Sequence, residues 1–268
     1  MKSTVKNRNT SYTTFKEALD LRQSEIISIV GGGGKTTLMF SLSRELVSEG
    51  KSVITTTTTK IMEPLTTQTH CLIVGKDEEE ILLVLQQNLD KYKHVTLVSQ
   101  RLTPNKLNGI SPEFVTILVK MKLAPYIIIE ADGAAQKSLK APGVNEPVIP
   151  INTTLVIPVV GIDVLGKPLN DKFVFRPEIV SFITGVSLNE TISIGNIAIL
   201  MNHPYGIIKG VPGSSRIVPF INKADNSNLQ SDARKLAEAI LAQKNPKINR
   251  VVIGSLQSSK TVLEVIGL

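Results

Sequence analysis

Apolar residues recur along the chain in two rhythms. Short, nearly continuous apolar or β-branched runs, IISIV (26–30), SVITTTT (52–58), HVTLVS (94–99) and YIIIEA (126–131), have the length and composition of strands buried on both faces. Between them lie TTLMFSLSRELVSEG (36–50), EEEILLVLQQNLDKY (78–92) and PEFVTILVKMK (112–122), longer segments of helical character. In the first of these Leu38, Ser41, Leu42 and Leu46 recur at helical spacing, and Gly50 marks its end. After a looser middle, the alternation resumes with the strand RIVPFIN (216–222), the helix SDARKLAEAILAQK (231–244) and the strand NRVVIGS (249–255). This βαβα order predicts a three-layer α/β fold around a mostly parallel sheet. A single domain spanning residues 1–268 is expected. Residues 133–190, interrupted by Pro142, Pro147, Pro150, Pro158, Pro168 and Pro177, read as an insertion or subdomain, or as a segment packed on the same sheet.

Composition narrows the class. The 268 residues are 42% hydrophobic, enough for a substantial core, and no apolar run reaches the roughly 18 residues of a membrane span. The opening MKSTVKNRNTSYTTF lacks the apolar centre of a signal peptide, so a soluble cytoplasmic protein with no membrane partner is expected. The single Cys71 excludes an internal disulfide and, beside His70 alone, makes a poor metal site. A net charge of +7 suits an anionic ligand. With 4% aromatic residues and no tryptophan, a stacking platform for single-stranded nucleic acid is not expected, and nucleic acid is not a predicted partner.

The candidate chemistry sits where strands end. Gly31-Gly32-Gly33-Gly34-Lys35-Thr36-Thr37 follows the first strand and opens the first helix, the arrangement in which backbone N–H groups wrap a phosphate. The usual spacing G-x-x-x-x-G-K-[ST] is broken by Ile29, but the tighter G-G-x-G-K-T-T fits completely and resembles P-loop proteins of the SIMIBI class. Val30 stands where many of that class carry a lysine, so donation of such a lysine by a second subunit is not supported. Mur-type ligases share a similar loop, so the loop does not choose a reaction. At the end of the 126–131 strand, Glu130 and Asp132 share one face while Ala131 points away. On a parallel strand that face looks into a ligand crevice, so with Thr36 they are candidate magnesium ligands. The threonine tract 55–59, ending in Lys60, follows the P-loop helix, where other P-loop proteins place phosphate or magnesium contacts. Asn222-Lys223-Ala224-Asp225 is N-K-x-D, the motif with which P-loop GTPases read guanine, and Ser255 lies in the turn where they carry a second base contact. GTP is therefore expected over ATP. Lys137, Lys140, Asn145, Glu146, Asp163, Arg176, Lys209 and Arg216 are, with Lys60, candidates for loops over a substrate; His203 reads as structural.

The ordered strings GGGGKTT, TTTTTK, EADGAAQKSLKAP, NEPVIP, VFRPE, HPYGIIKGVP and NKAD resemble the YqeC family, accessory proteins of selenium-dependent molybdenum hydroxylases, over roughly residues 15–260. The resemblance implies a P-loop nucleotide-binding protein that helps produce or install a selenium-containing molybdenum cofactor, with the hydroxylase or its cofactor as partner. The combined expectation is a P-loop NTPase-like protein binding GTP or ATP with Mg2+ and cleaving it. Lys35 would sit on the outer phosphates, Thr36, Glu130 and Asp132 on the metal, and Asp225 on the base. Two alternatives use the same loop: a small-molecule kinase or ligase, and a chaperone or regulator that binds nucleotide without turnover.

Overall fold

The computed structural model describes residues 12, 14–75 and 77–267. A single turn α1 (Phe15–Ala18) precedes β1 (Glu25–Gly31), α2 (Lys35–Ser48), β2 (Val53–Thr57), β3 (Lys60–Met62), β4 (Leu72–Val74), α3 (Glu78–Tyr92), β5 (His94–Val98), β6 (Gln100–Thr103), β7 (Lys106–Asn108), α4 (Pro112–Met121) and β8 (Tyr126–Glu130). Then come β9 (Leu139–Lys140), β10 (Leu155–Gly161), a 3-10 turn at Ile162–Val164, β11 (Val174–Phe175), α5 (Pro177–Thr184), α6 (Ile194–Asn202), β12 (Arg216–Ile217), β13 (Phe220–Asn222), α7 (Ser227–Ala242), β14 (Arg250–Gly254) and β15 (Val262–Gly267).

Ten strands form one sheet in the order β15-β14-β13-β10-β1-β8-β2-β5-β4, with β12 pairing β10 off this path. Every pairing in it is parallel except β14 with β15. All seven residues of β1 and of β10 are buried, which is why their sequences lack an inside-outside alternation. Successive β1 residues nevertheless serve two cores. Ile26 and Val30 join one with α3, α4, α6 and α7, whereas Ile27 and Ile29 join the other with α1 and Leu38, Met39, Leu42 and Leu46 of α2. Helices therefore cover both faces, giving the expected three-layer α/β fold.

The irregular middle departs from an insertion in one respect: its residues 155–161 are β10, paired with β1 from Ile27↔Leu155 to Gly31↔Val159. Pro158 obscured that strand, yet it sits where the ladder toward β12 and β13 is interrupted, between Val156↔Ile217 and Val159↔Phe220. Pro219 splits RIVPFIN into two short strands, since proline has no N–H to give a ladder. The helix expected from 231 begins one turn earlier, because the Asn226 side chain accepts from Leu229 N and caps it. Periodicity also missed β4, β15 and a small antiparallel sheet, β3-β7-β6, packed through Ile61 and Leu107 into the α2-side core.

Candidate functional site

At the carboxyl end of β1 the chain turns directly into α2. Gly33 and Gly34 have φ of +81° and +127°, and a Cβ on Gly33 would stand 2.3 Å from Gly161 N. Gly32 N and Gly33 N donate to the carbonyls of Val159 and Lys137, both at 2.9 Å, which fixes the loop on its neighbours. The amino end of α2 carries no side-chain cap and no acidic residue in its first turn. Its positive dipole end is left open to an anion.

Lys35, only 5% exposed, folds back over this loop. Its Nζ donates to Gly31 O at 2.8 Å and lies 3.5 Å from Glu130 and 3.3 Å from Asp132. Burial alone would lower its pKa, but the charges of Asp132 and Glu130 outweigh burial and hold it above the ordinary lysine value. Burial pushes the Glu130 carboxyl upward against the opposing pull of Lys35. Thr36 Oγ1 donates to Glu130 Oε2 at 2.6 Å, joining the first turn of α2 to the end of β8.

Asp132 stands differently. It accepts from Gly31 N at 3.0 Å and pairs at 3.0 Å with Lys140, which is fully buried. Lys140 continues to Gly133 O and Glu146, each at 2.7 Å, and Arg176 binds the same carboxylate at 2.5 Å. Burial would raise the pKa of Glu146, but the hydrogen bonds from Arg176 and Lys140 hold it down at about 2. Asp132, expected at the metal site, is set between two lysines as their shared counter-charge and does not line the cleft. Lys140 and Arg176 are likewise cross-links of the loop after β8 and do not line the cleft.

Across the loop, Asn222 Nδ2 donates to Gly33 O at 2.7 Å and Asn222 Oδ1 accepts from Leu256 N at 3.1 Å. The N-K-x-D segment is thus tied to the P-loop and to the turn after β14. Ser255 Oγ donates to Asp225, which is exposed. Lys223, at φ +66°, bonds Ser138 Oγ at 2.7 Å and Asp163 at 2.8 Å.

These elements border one cleft of about 1230 Å³. Gly33, Gly34, Lys35, Thr36, Thr37 and Glu130 form its floor; Asn222, Lys223, Asp225, Leu256 and Gln257 one side; Thr59, Lys60, Ile61, Met62, Lys106 and Asn108 another. Of the loop candidates, Lys60, Lys137, Glu146 and Asp163 line it. Three do not. Asn145 is exposed outside the wall, and Lys209 is spent on the carbonyls of Gly143 and Val144 at 2.8 and 2.7 Å. Arg216 binds the buried Glu25 at the amino end of β1, the opposite end of that strand from the P-loop. Sequence reasoning missed Met62, Lys106 and Asn108; the only signal was the alternation in KIM and KLN, too short to register as strands.

With the site in view, residues 27–178 match the family described as YqeC protein. This chain belongs to the YqeC family. It is 33% identical over 214 residues to the protein described as Uncharacterized protein YqeC in Escherichia coli (strain K12), an alignment covering 79% of this chain and 82% of that protein. Among solved structures, the signal recognition particle receptor FtsY from Elizabethkingia anophelis aligns with TM-score 0.38 and 14% identity over 91% of this chain. This YqeC-family chain spans 63% of that receptor. FtsY from Mycoplasma mycoides aligns with TM-score 0.33 and 12% identity, over 97% of this chain and 68% of that one. Likeness at that level carries no argument about the YqeC site, whose fold class rests on its own sheet order and P-loop.

Proposed function

We propose that this YqeC-family protein binds a nucleoside triphosphate with magnesium and cleaves it, GTP in preference to ATP, in support of the production or insertion of a selenium-containing molybdenum cofactor. The observation that carries the reading is the 2.6 Å bond from Thr36 to Glu130 beside Lys35, at the uncapped amino end of α2. The first amides of α2 receive the phosphates, and Lys35 leaves Gly31 O for their outer oxygens. Asp132 keeps Lys140 as its counter-charge when Lys35 moves, so the carboxylate is not stranded.

Magnesium fits this donor set: a hydroxyl and a carboxylate already share one proton-bridged position, and magnesium at phosphate sites commonly takes one or two protein ligands beside phosphate and water. Thr36 and Glu130 would hold it, and when bound it neutralises charge developing on the phosphates. Asp225 and Ser255, tied through Asn222 to Gly33, form the side on which the base is read. The selenium and molybdenum setting rests on the family resemblance.

The test is calorimetry with GTP and ATP on wild type and Lys35→Ala, followed by turnover with and without a molybdenum cofactor fraction or the client hydroxylase. Lys35→Ala is expected to lose triphosphate binding while staying folded, since the lysine's charge is needed on the phosphates and Asp132 keeps Lys140 as its counter-charge. Unchanged affinity in the folded variant would end the P-loop reading.

A further inference from the structure

The cleft is large for a single small ligand and extends to either side of the P-loop. β13, which ends in Asn222, and β2, which leads to Lys60, flank β1 at two strand positions each. At about 4.8 Å per step they are roughly 19 Å apart, with the P-loop midway. A triphosphate held from Asp225 to Lys35, as proposed above, would take the β13 half. The volume of about 1230 Å³ exceeds the roughly 300–1,000 Å³ of usual small-ligand pockets.

The β2 half is walled by the small sheet. Ile61 pairs with Leu107 and both are buried, so Lys60 and Met62 of β3 and Lys106 and Asn108 of β7 lie together on the opposite face, which borders the cleft. Lys60 and Lys106 are diagonal neighbours in this ladder, about 7–8 Å apart and somewhat less at Cβ, close enough for both ammonium groups to converge on one anion. Neither has an ion pair or a side-chain hydrogen bond among the described residues. The nearby Glu63 is occupied by a two-pronged pair with Arg101. The cleft's four carboxylates are also engaged: Glu130 with Thr36 and Lys35, Glu146 with Lys140 and Arg176, Asp163 with Lys223, Asp225 with Ser255. Two like charges held on one face with no acid to relieve them favour an anion between them. Met62, 55% exposed, adds an apolar surface alongside.

We propose that the face formed by Lys60, Met62, Lys106 and Asn108 is the subsite for a second small-molecule substrate carrying an anionic group of the phosphate class on an apolar or aromatic body. It rests on the nucleotide reading above in placing the triphosphate in the other half. The anionic group lies between the two lysines, the body rests on Met62, and the outer phosphate of the nucleotide approaches from the P-loop.

The probe is phenyl phosphate, titrated calorimetrically into the full chain, alone and with the P-loop filled by a non-hydrolysable magnesium–GTP analogue. Binding is expected in both states, tighter than that of inorganic phosphate. K60A/K106A, with an unchanged unfolding midpoint, should weaken the probe at least tenfold and leave triphosphate affinity within twofold. Lys35→Ala should lose the triphosphate and keep the probe. The subsite is overturned if wild type does not bind the probe, if the triphosphate displaces it, if the double variant binds it equally, or if the double variant loses triphosphate affinity instead. Should Lys35→Ala still bind triphosphate, the nucleotide reading falls, and the probe's response to K60A/K106A still decides the subsite.

Discussion

At the residue scale, Glu130 and Asp132 end the same strand face but meet different partners, so their amide variants should separate. Glu130→Gln keeps an acceptor for Thr36 and removes a charge whose burial is already unfavourable. Stability should change little while magnesium dependence of triphosphate binding falls sharply; calorimetry with and without the metal reads it. Asp132→Asn strips the shared counter-charge from Lys35 and Lys140 and should cost about 3 kcal/mol or more in urea unfolding. Base choice also belongs here. If Asp225 reads guanine, GTP binds more tightly than ATP by roughly 1.5–3 kcal/mol, and Asp225→Asn moves the preference toward xanthosine triphosphate, whose ring carbonyl matches the new amide. Competition binding in which both proteins ignore the base would leave the P-loop standing and remove the guanine claim.

At the element scale, the small β3-β7-β6 sheet is the least anticipated part of the cleft wall. Three-residue strands have little stability of their own, and this sheet is held by Ile61 and Leu107 entering the core beside α2. Leu107→Ala should therefore cost about 2–4 kcal/mol and speed amide exchange through residues 100–108 before the rest of the fold opens. Uniform exchange across the protein would show instead that the sheet opens only with the global core. The P-loop turn is the contrasting case: its glycines, and the bond from Asn222 to Gly33, make its geometry a property of β10 and β13 as much as of its own residues.

At the scale of the whole molecule, acidification reports on burial. His94 lies between Thr55 and the edge of Phe40, and burial, aided by His70, lowers its pKa to about 4. The unfolded chain binds that proton near pH 6.5, so the folded state is favoured fully above that value and loses stability as pH falls from 6.5 toward 4. Between pH 7 and pH 5 the loss should be about 2 kcal/mol, and His94→Gln should flatten it; urea midpoints across that range measure both. How much of all this was legible differs by feature. GGGGKTT and the apolar strand ending in Glu130 were readable because local sequence builds them: glycines permit the turn, and a doubly buried strand must be apolar throughout. Helix α3 was readable to the residue because Asp77 caps a run with the right period. What residues 27–178 share with the YqeC family likewise lies in the sequence. The sequence did not contain the strand order, since pairing partners are chosen by packing across more than a hundred residues, as when β10 takes its place beside β1. Nor could it show which charges cancel. Lys140 and Arg176 resembled free substrate-binding cations until the fold set Asp132 and Glu146 against them, whereas Lys60 and Lys106, 46 residues apart, became neighbours only because β3 and β7 pair antiparallel.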